Sequence, residues 1–105
     1  MKRTSRFGAV LAAVVLLVGV TSFAQSSGEA TYKTKCQSCH GASGAPSPAM
    51  AKAMGVKPIG EVKSTPEAKM IAITTNGEGK MPAFKGKLTD AQIKDSVSYF
   101  RSLAK

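Results

Sequence analysis

The feature that most constrains this chain is Cys36-Gln37-Ser38-Cys39-His40, which holds its only two cysteines and its only histidine. Cysteines three positions apart share one face of a helical turn. Thiols placed so can form thioethers with the two vinyl groups on one edge of a porphyrin, and the imidazole that follows falls under the iron as an axial ligand. The pattern is therefore that of a c-type haem attachment site. Other readings of the same residues explain less. A Cys36–Cys39 disulfide would be purely structural. A thioredoxin-like redox pair calls for a strand ahead of the motif in a βαβ setting, whereas residues 29–35 are helix-like. A zinc site needs four ligands, and two cysteines with one histidine leave one missing.

The chain begins Met1-Lys2-Arg3-Thr4-Ser5-Arg6, basic and free of acids, and continues into an apolar run over residues 7–20 and then Thr21-Ser22-Phe23-Ala24. Small residues at the third and first positions before Gln25 complete the form of a secretory signal peptide, with cleavage expected after Ala24. The alternative is an uncleaved anchor. As a helix, the apolar run is about 21 Å long, short of the roughly 30 Å hydrocarbon core of a bilayer. The expected organisation is a signal peptide over residues 1–24 and one domain over residues 25–105, working in the periplasm.

That domain has 81 residues, a size at which a hydrophobic core is modest and a covalent or metal staple is often needed. A covalently held haem would be such a staple. The formal charge of the whole chain is +9, and removing Lys2, Arg3 and Arg6 leaves +6. This balance favours acidic partner surfaces and faster association at low salt. Export and the absence of a recognition motif argue against nucleic acid.

Along the domain, Ser26 and Glu29 have the form of a capping box, which predicts a helix from about Ser27 to Cys39 with Gly28, Tyr32, Cys36 and Cys39 on one face. Gly28 would let another helix backbone approach closely, and Tyr32 reads as ordinary core. Residues 41–48 are a loop by composition. Pro48 near the start and Gly55 after the end mark a short helix, and residues 56–60 read as extended or loop with Ile59 in the core. Thr65 as N-cap and Pro66 at the first position open another helix, which Gly77 should end in the left-handed conformation. Residues 76–84 form a Gly-rich loop centred on Met81-Pro82. The last helix is the best marked, with Thr89 and Gln92 as a capping box and Leu88 and Ile93 as its hydrophobic staple. Ile93, Val97 and Phe100 then recur at helical spacing.

In this order, Gly28, Tyr32, the Cys36–His40 motif, Gly79-Lys80-Met81-Pro82-Ala83-Phe84 and Val97-Ser98-Tyr99-Phe100 make the chain resemble a class I cytochrome c of the small monohaem bacterial kind, over nearly all of residues 27–105. The resemblance implies an all-α fold whose helices wrap one covalently attached haem c, with the first and last helices crossing near Gly28 and Tyr99. It implies Cys36 and Cys39 as the covalent attachment points, His40 below the iron and Met81 above it. It also implies that a loop proline carbonyl accepts a hydrogen bond from the axial imidazole, with Pro46 and Pro48 both candidates. The chain's own pattern supports Met81 over Met50, Met54 and Met70: it lies on a loop freed from helical geometry by glycines and Pro82, 41 positions after His40.

The function that follows is an exported, soluble carrier of single electrons, not an enzyme and expected to be a monomer. Lys33, Lys35, Lys80, Lys85 and Lys87 flank the two ligand segments. They would ring an exposed haem edge and steer acidic redox partners, a membrane oxidoreductase among them. Two alternatives compete. A haem enzyme or gas sensor would keep the sixth iron position open, and a thiol-disulfide oxidoreductase would use Cys36 and Cys39 directly.

Overall fold

The computed structural model describes residues 18–104, with side chains from residue 27 onward. Among the described residues there are six helices, of which the first and last frame the domain: α1 (Val18–Lys35), α2 (Gln37–His40), α3 (Pro48–Met54), α4 (Ile59–Val62), α5 (Glu67–Asn76) and α6 (Asp90–Ser102). Among the described residues there is no strand, only two isolated bridges, Glu78 with Met81 and Lys85 with Leu88. The all-α expectation holds.

Local chemistry accounts for most of these boundaries. The Thr89 hydroxyl accepts from Gln92 N at 3.1 Å and the Gln92 side chain accepts from Thr89 N at 2.9 Å, so the expected capping box of α6 is formed in both directions. Ser47 caps α3 by accepting from Met50 N at 3.2 Å, Pro48 follows at the first position, and Gly55 closes the helix at φ 68°, ψ 24°. Such a left-handed residue carries no steric penalty only when it is glycine.

Five expectations change. The first helix does not start at Ser26–Ser27 but at Val18, and it runs unbroken through the expected cleavage point. A hydroxyl caps a helix only where the chain enters it from non-helical angles; residues 18–25 contain no proline and are already helical. Glu29 pairs with Lys33 one turn on, at 2.8 Å. The same helix stops at Lys35 and not at Cys39, with Cys36 as a pivot into α2. Helix α5 begins one residue late, because Pro66 sits in extended geometry and is itself the N-cap. Gly77 does have a positive φ of 79°, but its ψ of 163° places it outside the left-handed helical region. Finally, α4 occupies part of what reads as loop: Pro58 leads into a single turn whose Ile59 N–H donates to Gly44 O at 2.8 Å. Residues 1–17 of the expected signal peptide lie outside the described residues. Among those described, no helix is long and apolar enough to cross a membrane.

Packing follows from α1 against α6. A Cβ on Gly28 would overlap the Asp95 carbonyl, so the two backbones touch there. One turn further along both helices, Tyr32 meets Tyr99 with ring centroids 5.2 Å apart and stacks on Phe100 at 5.9 Å. Tyr32 and Ile93 are almost wholly buried, at 1% exposure each. A second cluster joins Ile59, Met70 and Val97, with Val62, Ile71 and Leu103 against it. Arg101 ties α6 to the entry of α5 by donating to Thr65 O at 2.6 Å.

Candidate functional site

The motif is built where α1 gives way to α2. Cys36 leaves ideal helical angles (φ −118°, ψ −34°), yet its backbone remains bonded on both sides. Its N–H donates to Tyr32 O at 2.9 Å, and its carbonyl accepts from Cys39 N at 3.2 Å and His40 N at 3.0 Å. The two thiols and the imidazole are thus carried on one turn. Gly41 then reverses the chain at φ 83°, a conformation open to glycine, and its carbonyl accepts the Tyr32 hydroxyl at 2.6 Å. This bond clamps the exit of the motif back onto α1. Tyr32 is core, as expected, and also the clamp. Burial raises its hydroxyl pKa, with Cys36 and Tyr99 adding to the effect.

His40 stands edge-on to Phe100, centroids 5.1 Å apart, so α6 supports the imidazole through the ring that also stacks on Tyr32. Its Nδ1 is buried without a hydrogen-bond partner, and burial lowers its pKa. The expected bond from His40 to a proline carbonyl is absent: among the described residues neither Pro46 nor Pro48 accepts it. The loop instead closes on itself, Gly44 N donating to Gly41 O at 3.2 Å, and is pinned at Gly44 O by Ile59 N.

Met81 sits half-buried on the loop after α5. Glu78 and Met81 exchange backbone bonds of 3.1 and 2.9 Å, making a tight turn, and the loop is fastened to α5 by Phe84 N to Thr74 O and Lys85 N to Thr75 O, both 3.0 Å. A Cβ on Gly77 would lie 2.8 Å from Met81 O and 2.9 Å from Ala83 N, so only glycine lets the loop fold this closely. No hydrogen bond among the described residues joins this loop to the Cys36–His40 turn. Lys80 Nζ reaches instead to Ala53 O at the end of α3, 2.7 Å away.

The residues fit a covalently held haem. Cys36 and Cys39 are free and half-buried, and the donor set of two thiols, one imidazole and one thioether is what such a group requires. Met50, Met54, Ile73, Met81 and Phe84 are apolar yet only half-buried, leaving apolar surface of the kind a flat apolar plate would cover. The chemistry of a thiol-disulfide oxidoreductase fits less well. Reactive cysteines have depressed pKa values, whereas burial, with Cys39 nearby, pushes the Cys36 thiol up to about 11. Among the described residues no three His, Cys, Asp or Glu side chains gather into a metal cluster.

The lysine ring is only partly available. All five lysines are exposed, but Lys33 is paired with Glu29 and Lys80 is bonded to Ala53 O, and among the described residues Lys35, Lys85 and Lys87 make no such side-chain bond. Sequence reasoning missed the Tyr32–Gly41 clamp, the Phe100 support of His40 and the Lys80 contact. Phe100 was marked by its helical spacing, but nothing in the chain order tells which residue its ring would touch.

The family model described as cytochrome C oxidase, cbb3-type, subunit III matches residues 23–100. Cytochrome c-555 of Chlorobaculum tepidum is 39% identical over 102 residues, covering 90% of this chain and 94% of that protein. Cytochrome c6 of Synechocystis sp. is 29% identical over 101 residues, 89% of this chain and 82% of the relative. Cytochrome c6 of Leptolyngbya boryana is 39% identical over 75 residues, 70% and 86% of the two chains. No solved structure matches.

Proposed function

The chain belongs to the class I cytochromes c, proteins with one covalently bound haem c, and from that premise we propose that it carries single electrons between partner proteins, with Cys36 and Cys39 as the attachment points and His40 and Met81 as the axial ligands. The observation that carries this reading is the single turn on which Cys36, Cys39 and His40 lie, clamped by the Tyr32 hydroxyl at one end and backed by Phe100.

When bound, the haem supplies a one-electron iron couple. The chain's own residues set its properties. Cys36 and Cys39 anchor the plate, and Phe100 holds the orientation of the His40 ring. A Met81 thioether is a weaker donor that raises the reduction potential. Met50, Met54 and Phe84, apolar and half-buried, would add apolar surface around the plate, which disfavours the more highly charged ferric form. With His40 and Met81 both holding the iron, neither oxygen nor peroxide would find a seat there, which suits a carrier and not an enzyme. The +6 charge of residues 25–105 and the exposed Lys35, Lys85 and Lys87 suit small, weak and fast contacts with acidic redox partners. A membrane oxidoreductase is among the partners this allows. Export with cleavage after Ala24, a periplasmic location and a monomeric state complete the reading; cleavage would leave Ser26 one residue from the new N-terminus, free to cap α1.

The test is the optical spectrum of the exported protein, oxidised and reduced, together with a haem stain after a denaturing gel. Stain that survives denaturation, a weak sulfur-to-iron absorption at the red end of the ferric spectrum and refusal of carbon monoxide are expected. Ready carbon monoxide binding by the wild type would favour the open-site alternative, and loss of stain on denaturation would remove covalent attachment.

A further inference from the structure

We infer that Lys80 is a positioning residue for Met81: its side chain straps the tip of the Met81 loop to α3 and so keeps the thioether at its post. The inference rests on the ligand reading above. It starts from the 2.7 Å bond between Lys80 Nζ and Ala53 O, which spans 27 positions of chain. Among the described residues no other lysine side chain bonds to a different helix or loop; Lys33, the other paired one, is bound within its own helix.

The geometry explains why this contact matters. The two ends of the loop are fastened to α5, by Gly77 N to Ile73 O at 2.7 Å and by Phe84 N to Thr74 O at 3.0 Å. Between them lies the Glu78–Met81 turn, whose hydrogen bonds are internal and fix its shape but not its place. Pinned only along one side, such a loop can hinge about α5. Lys80 supplies the bond from the tip to the other side, and it is the immediate neighbour of Met81. The acceptor is well chosen. Gly55 N caps Ala51 O, while Ala53 O belongs to the last turn, where carbonyls have no partner within the helix and the helix end carries partial negative charge. A lysine ammonium there satisfies an acceptor that would otherwise depend on water. Helix α3 follows the haem-attachment turn in the chain, so the strap joins two segments that are far apart in sequence.

The role differs from docking. A lysine held against a backbone carbonyl is less available to an acidic partner, and its replacement should act on the ligand and not on the salt dependence of partner exchange.

The experiment compares haem-loaded Lys80→Ala, Lys80→Arg and Lys69→Ala proteins with the wild type, using imidazole as the probe for release of Met81 in the ferric state and backbone amide exchange at residues 79–83 as a second readout. Loss of one charged hydrogen bond at an exposed site should speed imidazole entry and amide exchange roughly fivefold in Lys80→Ala. Lys80→Arg, which keeps a cationic donor, should restore most of the difference, and Lys69→Ala, at an exposed lysine away from the loop, should match the wild type. Wild-type imidazole entry and amide exchange in Lys80→Ala overturn the strap, as does an equal effect of Lys69→Ala. A Met81→Ala protein run in parallel separates the two ideas. If it keeps the red-end absorption, the ligand reading fails and the strap falls with it; if it loses the band while Lys80→Ala behaves as wild type, only the strap fails.

Discussion

Replacing Gly28 by alanine tests the close crossing of α1 and α6, because two physical effects of opposite sign compete there. Within a helix, glycine to alanine is ordinarily stabilising by about 1 kcal/mol, through backbone entropy. Here the new Cβ would overlap the Asp95 carbonyl oxygen and lie 2.8 Å from its carbon. These are backbone atoms, so no rotamer change relieves the clash. To reach ordinary carbon–carbon separation the helices must part by roughly 0.7–1 Å. That shift opens the neighbouring contacts of Tyr32 with Tyr99 and Phe100, and a gap of this size already forfeits about a quarter to a half of each dispersion well. Overpacking of this kind costs about 1–3 kcal/mol, occasionally more, and a rigid backbone obstacle places the site at the upper end. Subtracting the propensity gain leaves a net loss of about 2 kcal/mol, or roughly 8–16 °C in Tm for a domain of this size. Denaturant unfolding followed by haem absorbance measures it, with Ala30→Gly on the exposed face of the same helix as the propensity control. A Gly28→Ala protein as stable as the wild type, or more so, would refute the close approach.

Met81→Ala should abolish the red-end ferric absorption, lower the reduction potential and admit carbon monoxide, while Met50→Ala, Met54→Ala and Met70→Ala keep the band; the reverse pattern reassigns the ligand. Changing Cys36 or Cys39 to Ser should cost much of the stability, since a plate that completes a small core would be held by one thioether or none. Thermal unfolding of each variant reads this, and a double Cys→Ser protein that melts like the wild type without added haem removes the staple argument. Charge reversal at Lys85 and Lys87 should slow electron exchange with an acidic partner more than reversal at Lys63 and Lys69, and the difference should shrink as salt shortens screening to about 8 Å. Stopped-flow rates across a salt series decide it; equal effects at both pairs mean that the basic surface is not a docking site.

The elements most legible in the sequence were those decided by neighbours in the chain. The α6 capping box needs only Thr89 and Gln92 three positions apart, and both bonds form. Pro48 and Gly55 bracket α3 by their intrinsic backbone preferences. Gly28 was readable as a place of close approach because a missing side chain on a helical face has few other uses. The expectations that failed turned on context. Ser26 has the composition of a cap, but α1 already runs through it. Pro46 and Pro48 were equally placed by sequence to accept from His40, yet the Gly41–Gly44 turn and the Ile59 bond direct the loop elsewhere.

By itself the sequence determined the chemistry: two thiols and an imidazole at fixed spacing, a methionine on a glycine- and proline-bounded loop, and helices marked by their own caps. Each of these is set by bond lengths, backbone angles and contacts within a turn or two. Only the tertiary structure decided which distant groups support that chemistry. The Tyr32 hydroxyl meets Gly41, Phe100 meets His40 and Lys80 meets Ala53 across separations of 9, 60 and 27 positions. Contacts of that span depend on how α1 and α6 cross and where the loops are pinned, and no local preference of the residues involved encodes that geometry.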